Sequence, residues 1–209
     1  MKLKIVPHGS EEITAVKPVE MDILIQRNHE CFQKLGLKEK TVEYFSLGFC
    51  RSGVLDKRVV IPLHDETNHL VGYAGKSINE NSFPEYILPA KFKNGNILYN
   101  LNRVLYNMEK ERKIYVVKHC FDVFWLWQEL GLVSVVAVLG NFLSERQITF
   151  LCNYSSSLFF ISQGDKRNKN IFNRMALTMM THKPVSIAYL PENIPIQKIT
   201  KNDLSKIIM

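Results

Sequence analysis

Residues 113–122 read Lys-Ile-Tyr-Val-Val-Lys-His-Cys-Phe-Asp, and residues 158–165 read Leu-Phe-Phe-Ile-Ser-Gln-Gly-Asp. Each is an apolar run of strand length that stops in polar residues just where a helical pattern begins. The alternation continues on either side. The apolar run 114–117 is followed by helical spacing over 122–130, 133–139 by 144–153, 158–161 by 169–181, and 185–190 by 200–208. Four apolar runs alternating with four helical stretches predict a parallel sheet covered by helices on both faces, because a strand buried on both sides shows an unbroken apolar run. Working residues of such sheets gather at the carboxyl ends of the strands. Here those ends are Lys118, Gly140, Gln163 and Pro191.

Upstream the texture changes. Ile23, Leu24, Arg27, Cys31, Phe32 and Leu35 recur at helix spacing, predicting a helix from Met21 that Gly36 closes. A second short helix is expected over 38–45, with Gly48 as punctuation after it. Residues 57–63 and 69–76 read as two strands joined by the turn Asp65-Glu66-Thr67-Asn68. A loop carrying Pro84 and Pro89 leads to a short helix within 96–106. The organisation expected is an extended arm or edge hairpin over 1–20, a mixed α+β basic subdomain over 21–112, and an α/β unit over 113–209.

The chain has 209 residues, 46% of them apolar and 22% charged, enough to bury a real core. Lys and Arg number 27 against 20 Asp and Glu, so the net charge is +7, a balance that suits a polyanionic partner. Cys31, Cys50, Cys120 and Cys152 form no C-x-x-C pair and have no histidine at zinc spacing, so reduced thiols of a cytoplasmic protein are expected rather than a zinc site. His8, His29, His64, His69, His119 and His182 show no ligand spacing, and no phosphate-binding glycine motif is present. No secretory leader is read at Met1-Lys2-Leu3-Lys4. The most apolar stretch, 123–139, is broken by Gln128, Glu129 and Gly131 and falls short of the ~20 unbroken apolar residues of a membrane span. No membrane partner is expected.

The two strand-to-helix corners, 116–122 and 162–165, resemble the metal-binding corners of a Toprim domain, the catalytic fold of bacterial DnaG-type primases. The resemblance extends upstream. Phe32-Gln33-Lys34-Leu35-Gly36-Leu37 and Phe45-Ser46-Leu47-Gly48-Phe49 are similar to that family's helical lead-in. Arg58-Val59-Val60-Ile61-Pro62-Leu63-His64-Asp65 and Val71-Gly72-Tyr73-Ala74-Gly75-Lys76 resemble its basic hairpin, Pro84-Glu85-Tyr86 and Phe92-Lys93-Asn94-Gly95 its next segment, and Leu139-Gly140 the end of its second Toprim strand. Order and spacing hold from about 22 to 190. The fold class this implies is α/β, a Toprim-like parallel sheet with helices on both faces, preceded by the smaller basic subdomain.

At the corners the chain departs from the family pattern. Lys118 and His119 stand where the family has a glutamate and a glycine, and Gln163 stands for the first aspartate of an Asp-x-Asp pair. Asp122 and Asp165 survive as remnant acids. The resemblance implies that the glutamate is a general acid/base and that the aspartates hold magnesium, which prefers hard, charged oxygens. Replacing glutamate by lysine shifts the local charge by about +2, and aspartate by glutamine by about +1 more. No catalytic residue and no metal or other cofactor are therefore expected, and an ion pair of Lys118 with Asp165 or Asp122 is expected in the metal's place. If a metal is held, Mg or Mn would sit on Asp122 and Asp165.

The family's basic groove implies nucleic-acid contacts at Arg58, Lys76, Lys91, Lys93 and Arg103, and the run after the second corner adds Lys166, Arg167 and Lys169. Tyr73 and Tyr99 are candidate base stackers. Three functions stay open. The first is a catalytically degenerate core that binds single-stranded DNA or RNA, with a protein partner in a replication, mobile-element or phage-defence assembly. The second is an active minimal primase or Toprim nuclease with ligands rearranged onto Asp122, Asp165 and Glu192. The third is a structural subunit whose cleft is filled by protein.

Overall fold

The computed structural model describes residues 25–79, 83–89, 92–107 and 113–208. The arm expected over 1–20 lies outside them. The carboxy-terminal half follows the alternation of the sequence. Strand β6 (Lys113–Val117) leads to helix α4 (Cys120–Leu130), β7 (Val135–Ala137) to α5 (Glu145–Tyr154), β8 (Ser157–Ser162) to α6 (Lys166–Met180), and β9 (Val185–Tyr189) to α7 (Lys201–Ile208). The four strands form a parallel sheet in the order β7-β6-β8-β9. Tyr115 pairs with Val135 on one side and with Phe159 on the other, and Phe159 in turn with Ser186.

Alternate residues of these strands enter two different cores, as a period of two requires. Ile114, Val116, Val136, Leu158 and Phe160 pack on one face against Leu151 of α5, Phe172, Met175 and Met179 of α6, and Leu101 and Val104 of α3 (Leu101–Tyr106). Val117, Val135, Ala137 and Ile161 turn to the other face, where Phe124 and Leu126 of α4 and Leu204 and Ile208 of α7 cover them. Helices α5 and α7 are started by side chains close to them in sequence. Ser144 Oγ accepts from Gln147 N while Gln147 returns a bond to Ser144 N, closing a capping box on α5, and Asp203 N donates to Thr200 Oγ1 at the head of α7.

The amino-terminal half is an antiparallel sheet, β1 (Ile25–Gln26), β2 (Gly48–Cys50), β3 (Arg58–His64), β4 (Leu70–Ser77) and β5 (Tyr86–Ile87), paired in that order. The expected β3–β4 hairpin is present, and Asp65 holds its turn by accepting from Thr67 N and His69 N. Helices α1 (Cys31–Lys34) and α2 (Glu39–Tyr44) lie between β1 and β2. Phe45, Leu47, Val59 and Ile61 share the core that also holds Val117 and Phe124, so this sheet packs on the α4 face of the parallel one.

Three readings of this half are corrected. The helix expected from Met21 to Leu35 is, in its described part, an edge strand at Ile25–Gln26 and then the four-residue α1, because Ile25 pairs with Cys50 and Gln26 with Phe49. Gly48 is not punctuation but lies within β2, opposite Val60. The Pro84–Pro89 loop contains β5, whose Ile87 and Tyr86 pair with Gly75 and Lys76. No helix among the described residues is long and apolar enough to cross a membrane.

Candidate nucleic-acid cleft

A cleft of about 640 Å³ opens where the carboxyl ends of β6, β8 and β9 meet the edge of the antiparallel sheet. Its polar wall comes from Lys118 and Asp122 at the first corner and from Gln163 and Asn168 at the second. Lys76, Glu85 and Tyr86 come from the β4–β5 edge, and Lys34 and Lys198 close the rim.

At the first corner the chain leaves β6 at Lys118 and His119 and turns into α4. Asp122 is the third residue of that helix, and its Oδ2 accepts from His119 N at 3.2 Å, so this acid satisfies the start of its own helix. Burial pushes the Asp122 carboxyl up to about 6, and Glu85 pushes it the same way; the His119 amide and the cations Lys118 and Lys76 offset part of this. His119 stacks on Tyr86 with ring centroids 5.1 Å apart. Burial, with the Lys118 charge beside it, lowers the His119 imidazole to about 4, so the ring is neutral at physiological pH.

Lys118 Nζ donates to Asn168 Oδ1 at 3.1 Å, and Asn168 Nδ2 donates to Asp165 Oδ2 at 2.7 Å. Among the described residues the ammonium makes no direct ion pair with Asp122 or Asp165, which corrects the pairing expected from the sequence: the amide of Asn168 stands between the charges. Partial burial lowers the Lys118 pKa, as does the nearby Arg167 charge, while Asp165 and Asp122 raise it.

The second corner is tighter. A Cβ on Gly164 would lie 2.2 Å from Leu190 O, so only glycine lets the ends of β8 and β9 approach this closely. Gln163 Nε2 donates to Ile194 O at 3.0 Å, tying the corner to the loop after β9, while its Oε1 is buried without a hydrogen-bond partner. Asp165 is the N-cap of α6. It accepts from Asn168 N at 3.0 Å, and hydrogen bonds from the Asn168 backbone and side chain hold its carboxyl below the usual carboxylate value. Asp165 and Glu192 are not among the described residues that line the cleft, whereas Asp122, Lys118 and Gln163 are. Among the described residues no three His, Cys, Asp or Glu side chains converge as a metal-binding group would.

The basic residues expected to contact nucleic acid are placed differently from one another. Lys76 lines the cleft, pairs with Glu85 at 2.8 Å and lies over the Tyr86 and Phe121 rings. Arg58 is only 9% exposed and donates to Glu85 O at 3.1 Å, holding the β4–β5 connection. Arg103, on α3, rests its guanidinium on Tyr44 and Phe45 at the end of α2, and Lys169 lies over Tyr189. Lys93, Lys166 and Arg167 are exposed, and Lys91 lies outside the described residues. Tyr99 is 1% exposed with its ring edge-on to Phe124, so it is a core side chain and not a platform for bases. Sequence reading missed Lys34, Lys198 and the Tyr86–His119 stack. Only Asn168, inside the basic run 166–169, carried a signal that would have found it.

Among proteins of known function, the DNA primase of Aquifex aeolicus is 28% identical over 161 residues, a match spanning 73% of this chain and 32% of that protein. A solved DnaG catalytic core superposes with a TM-score of 0.73 at 20% identity, covering 85% of this chain and 69% of that one. A DnaG primase catalytic domain bound to single-stranded DNA gives 0.73 at 18% identity, over 86% and 70%. No protein-family model matches. The chain thus corresponds to about a third or less of the length of the curated primases it matches. The described residues have the fold of a bacterial DnaG-type primase core, with its Toprim α/β sheet and its antiparallel lead-in.

Proposed function

We propose that this DnaG-type core holds a single strand of nucleic acid in the basic cleft without a catalytic metal, as the binding subunit of a larger replication, mobile-element or phage-defence assembly. One observation carries the reading: at the end of β6 an ammonium, Lys118, reaches across the cleft to Asn168 where magnesium chemistry needs a carboxylate. The donor chemistry around it supports the same view. Gln163 offers an amide already bonded to Ile194 O, Asp122 is engaged at the start of α4, and Asp165 is turned into the cap of α6. These residues do not fit the near-octahedral, charged-oxygen site that magnesium prefers. A cleft rimmed by Lys34, Lys76, Lys118 and Lys198 instead suits phosphates, which need positive charge and donors but no metal.

The test has two measurements. Magnesium or manganese titrated to millimolar concentration is expected to leave the thermal midpoint without a saturable shift. Affinity for a labelled single strand is expected to fall log-linearly with salt, and Lys118→Glu is expected to weaken it about tenfold, as a phosphate contact of one to two kcal/mol does. A tight, saturable metal shift abolished by Asp165→Ala would instead establish the active minimal primase or nuclease. Salt-insensitive or absent strand binding would leave the structural subunit.

A further inference from the structure

We propose a second nucleic-acid site, outside the cleft, in the groove between α6 and the loop that follows β7: a single strand leaving the cleft lays a base on Phe142 and its phosphates on Arg167 and Arg174. The inference rests on the reading of the cleft as a strand-holding site and extends the path of that strand.

The groove encloses about 460 Å³. Its floor is apolar, made by Leu143, Ile171 and Met175. On one rim Phe142 is 74% exposed, so its ring face is open to a ligand. On the other rim Arg167, Asn170 and Arg174 recur at the three- and four-residue spacing that puts side chains on one helix face. Among the described residues no acid lines the groove and neither guanidinium is in an ion pair. The two arginines are seven positions apart, about 10 Å along the helix axis, which corresponds to about three 3.4 Å steps of a stacked strand. An exposed aromatic face beside unpaired cations is the combination that binds single strands without sequence preference.

The groove is also contiguous with the cleft. Asn168 lines the cleft and Arg167, its neighbour on the first turn of α6, lines the groove. The Arg167 charge reaches the cleft, since it is among the influences acting on Lys118. At the other side, Leu139, two residues past the end of β7, adopts φ +59° and donates its N–H to Lys118 O, which anchors the start of the loop carrying Phe142 to the first corner. A strand emerging over Asn168 therefore meets Arg167 next and Phe142 across from it.

The experiment uses the full chain and fluorescence anisotropy with labelled single strands of four and of sixteen nucleotides, as DNA and as RNA, and with a blunt duplex. Arg174→Glu is expected to weaken the sixteen-nucleotide strand about tenfold and to reduce the salt slope by about one. Phe142→Ala is expected to weaken it five- to thirtyfold with the slope unchanged, as loss of one stacked base does. Neither change is expected to alter four-nucleotide binding, and both residues are exposed, so the folded state and its thermal midpoint stay the same. If both variants bind the long strand like the unaltered protein while Lys118→Glu weakens it, the groove proposal is overturned and the cleft stands. If the unaltered protein binds no strand, both fall. Preference for the duplex over the long single strand would also overturn the groove, because a base cannot stack on Phe142 while paired.

Discussion

Asp122 and Asp165 are the same residue type at the amino ends of two helices, α4 and α6, at equivalent corners of one parallel sheet, yet their carboxyls respond in opposite ways. Burial raises Asp122 to about 6, whereas hydrogen bonds from Asn168 lower Asp165. Both side chains are half-buried, but Asp122 lines the cleft beside Glu85 and Tyr86 with one backbone donor, whereas Asp165 has two donors from Asn168. The difference teaches that a helix start alone does not set a carboxyl's charge; the groups packed around it and the number of donors do. It also explains why the two acids do not act as a pair. One lines the cleft and the other turns to its helix.

The first corner carries a compensation. Unfolded, Asp122 titrates at 3.8 and folded at about 6, so between these values the folded chain holds more protons and acidification stabilises it. His119 runs the other way, from 6.5 unfolded to about 4 folded, so acidification over that range destabilises it. The two spans are similar, and their combined effect on stability between pH 6.5 and 4 is expected to stay within about 1 kcal/mol.

The largest effect is expected at the second corner. Gly164→Ala places a carbon against Leu190 O and should cost about 3 kcal/mol in urea unfolding, whereas Gly140→Ala, with its nearest contact at 3.8 Å, should cost less than about 0.5. Equal costs would break the contrast between a corner held by backbone contact and one that is not. Next comes Asp122→Asn. Removing a half-buried charge should raise stability at pH 7.5 by about 1–2 kcal/mol. It should also unmask His119, so that thermal midpoints now fall as pH drops from 6.5 towards 4. A loss at pH 7.5, or an unchanged pH profile, would show that the Asp122 carboxyl is not held against its charge. The smallest effect belongs to Asp165→Ala, a modest drop in midpoint at pH 7. Because this carboxyl is lowered, its contribution is present above 3.8 and lost as pH falls further, so variant and parent should converge in acid. Divergence there would sink the capping role.

Long elements were legible and short ones were not. The runs that became β6, β8 and β9 and the helices after them show their period over enough residues to be read. Strands β1 and β5 are two residues long and β2 three, too short for any period, and their existence depends on Cys50, Gly75 and Val60 arriving beside them. The corners were legible as strand ends, and Lys118 and Gln163 were found there. That Asn168 takes the Lys118 ammonium was not, because the contact spans 50 residues and is set by where α6 starts. Arg58 illustrates the opposite limit: its charge reads as a phosphate contact, but its guanidinium is folded under the chain against Glu85 O.

By itself, then, the sequence determined the alternation of strand and helix, the basic balance and the presence of Lys118 and Gln163 at the strand ends, since each depends on residue type and local spacing alone. Only the tertiary structure decided which acid faces the cleft, which lysines line it and which arginine is buried. Those properties depend on the solvent and donors left around a side chain once both sheets have packed.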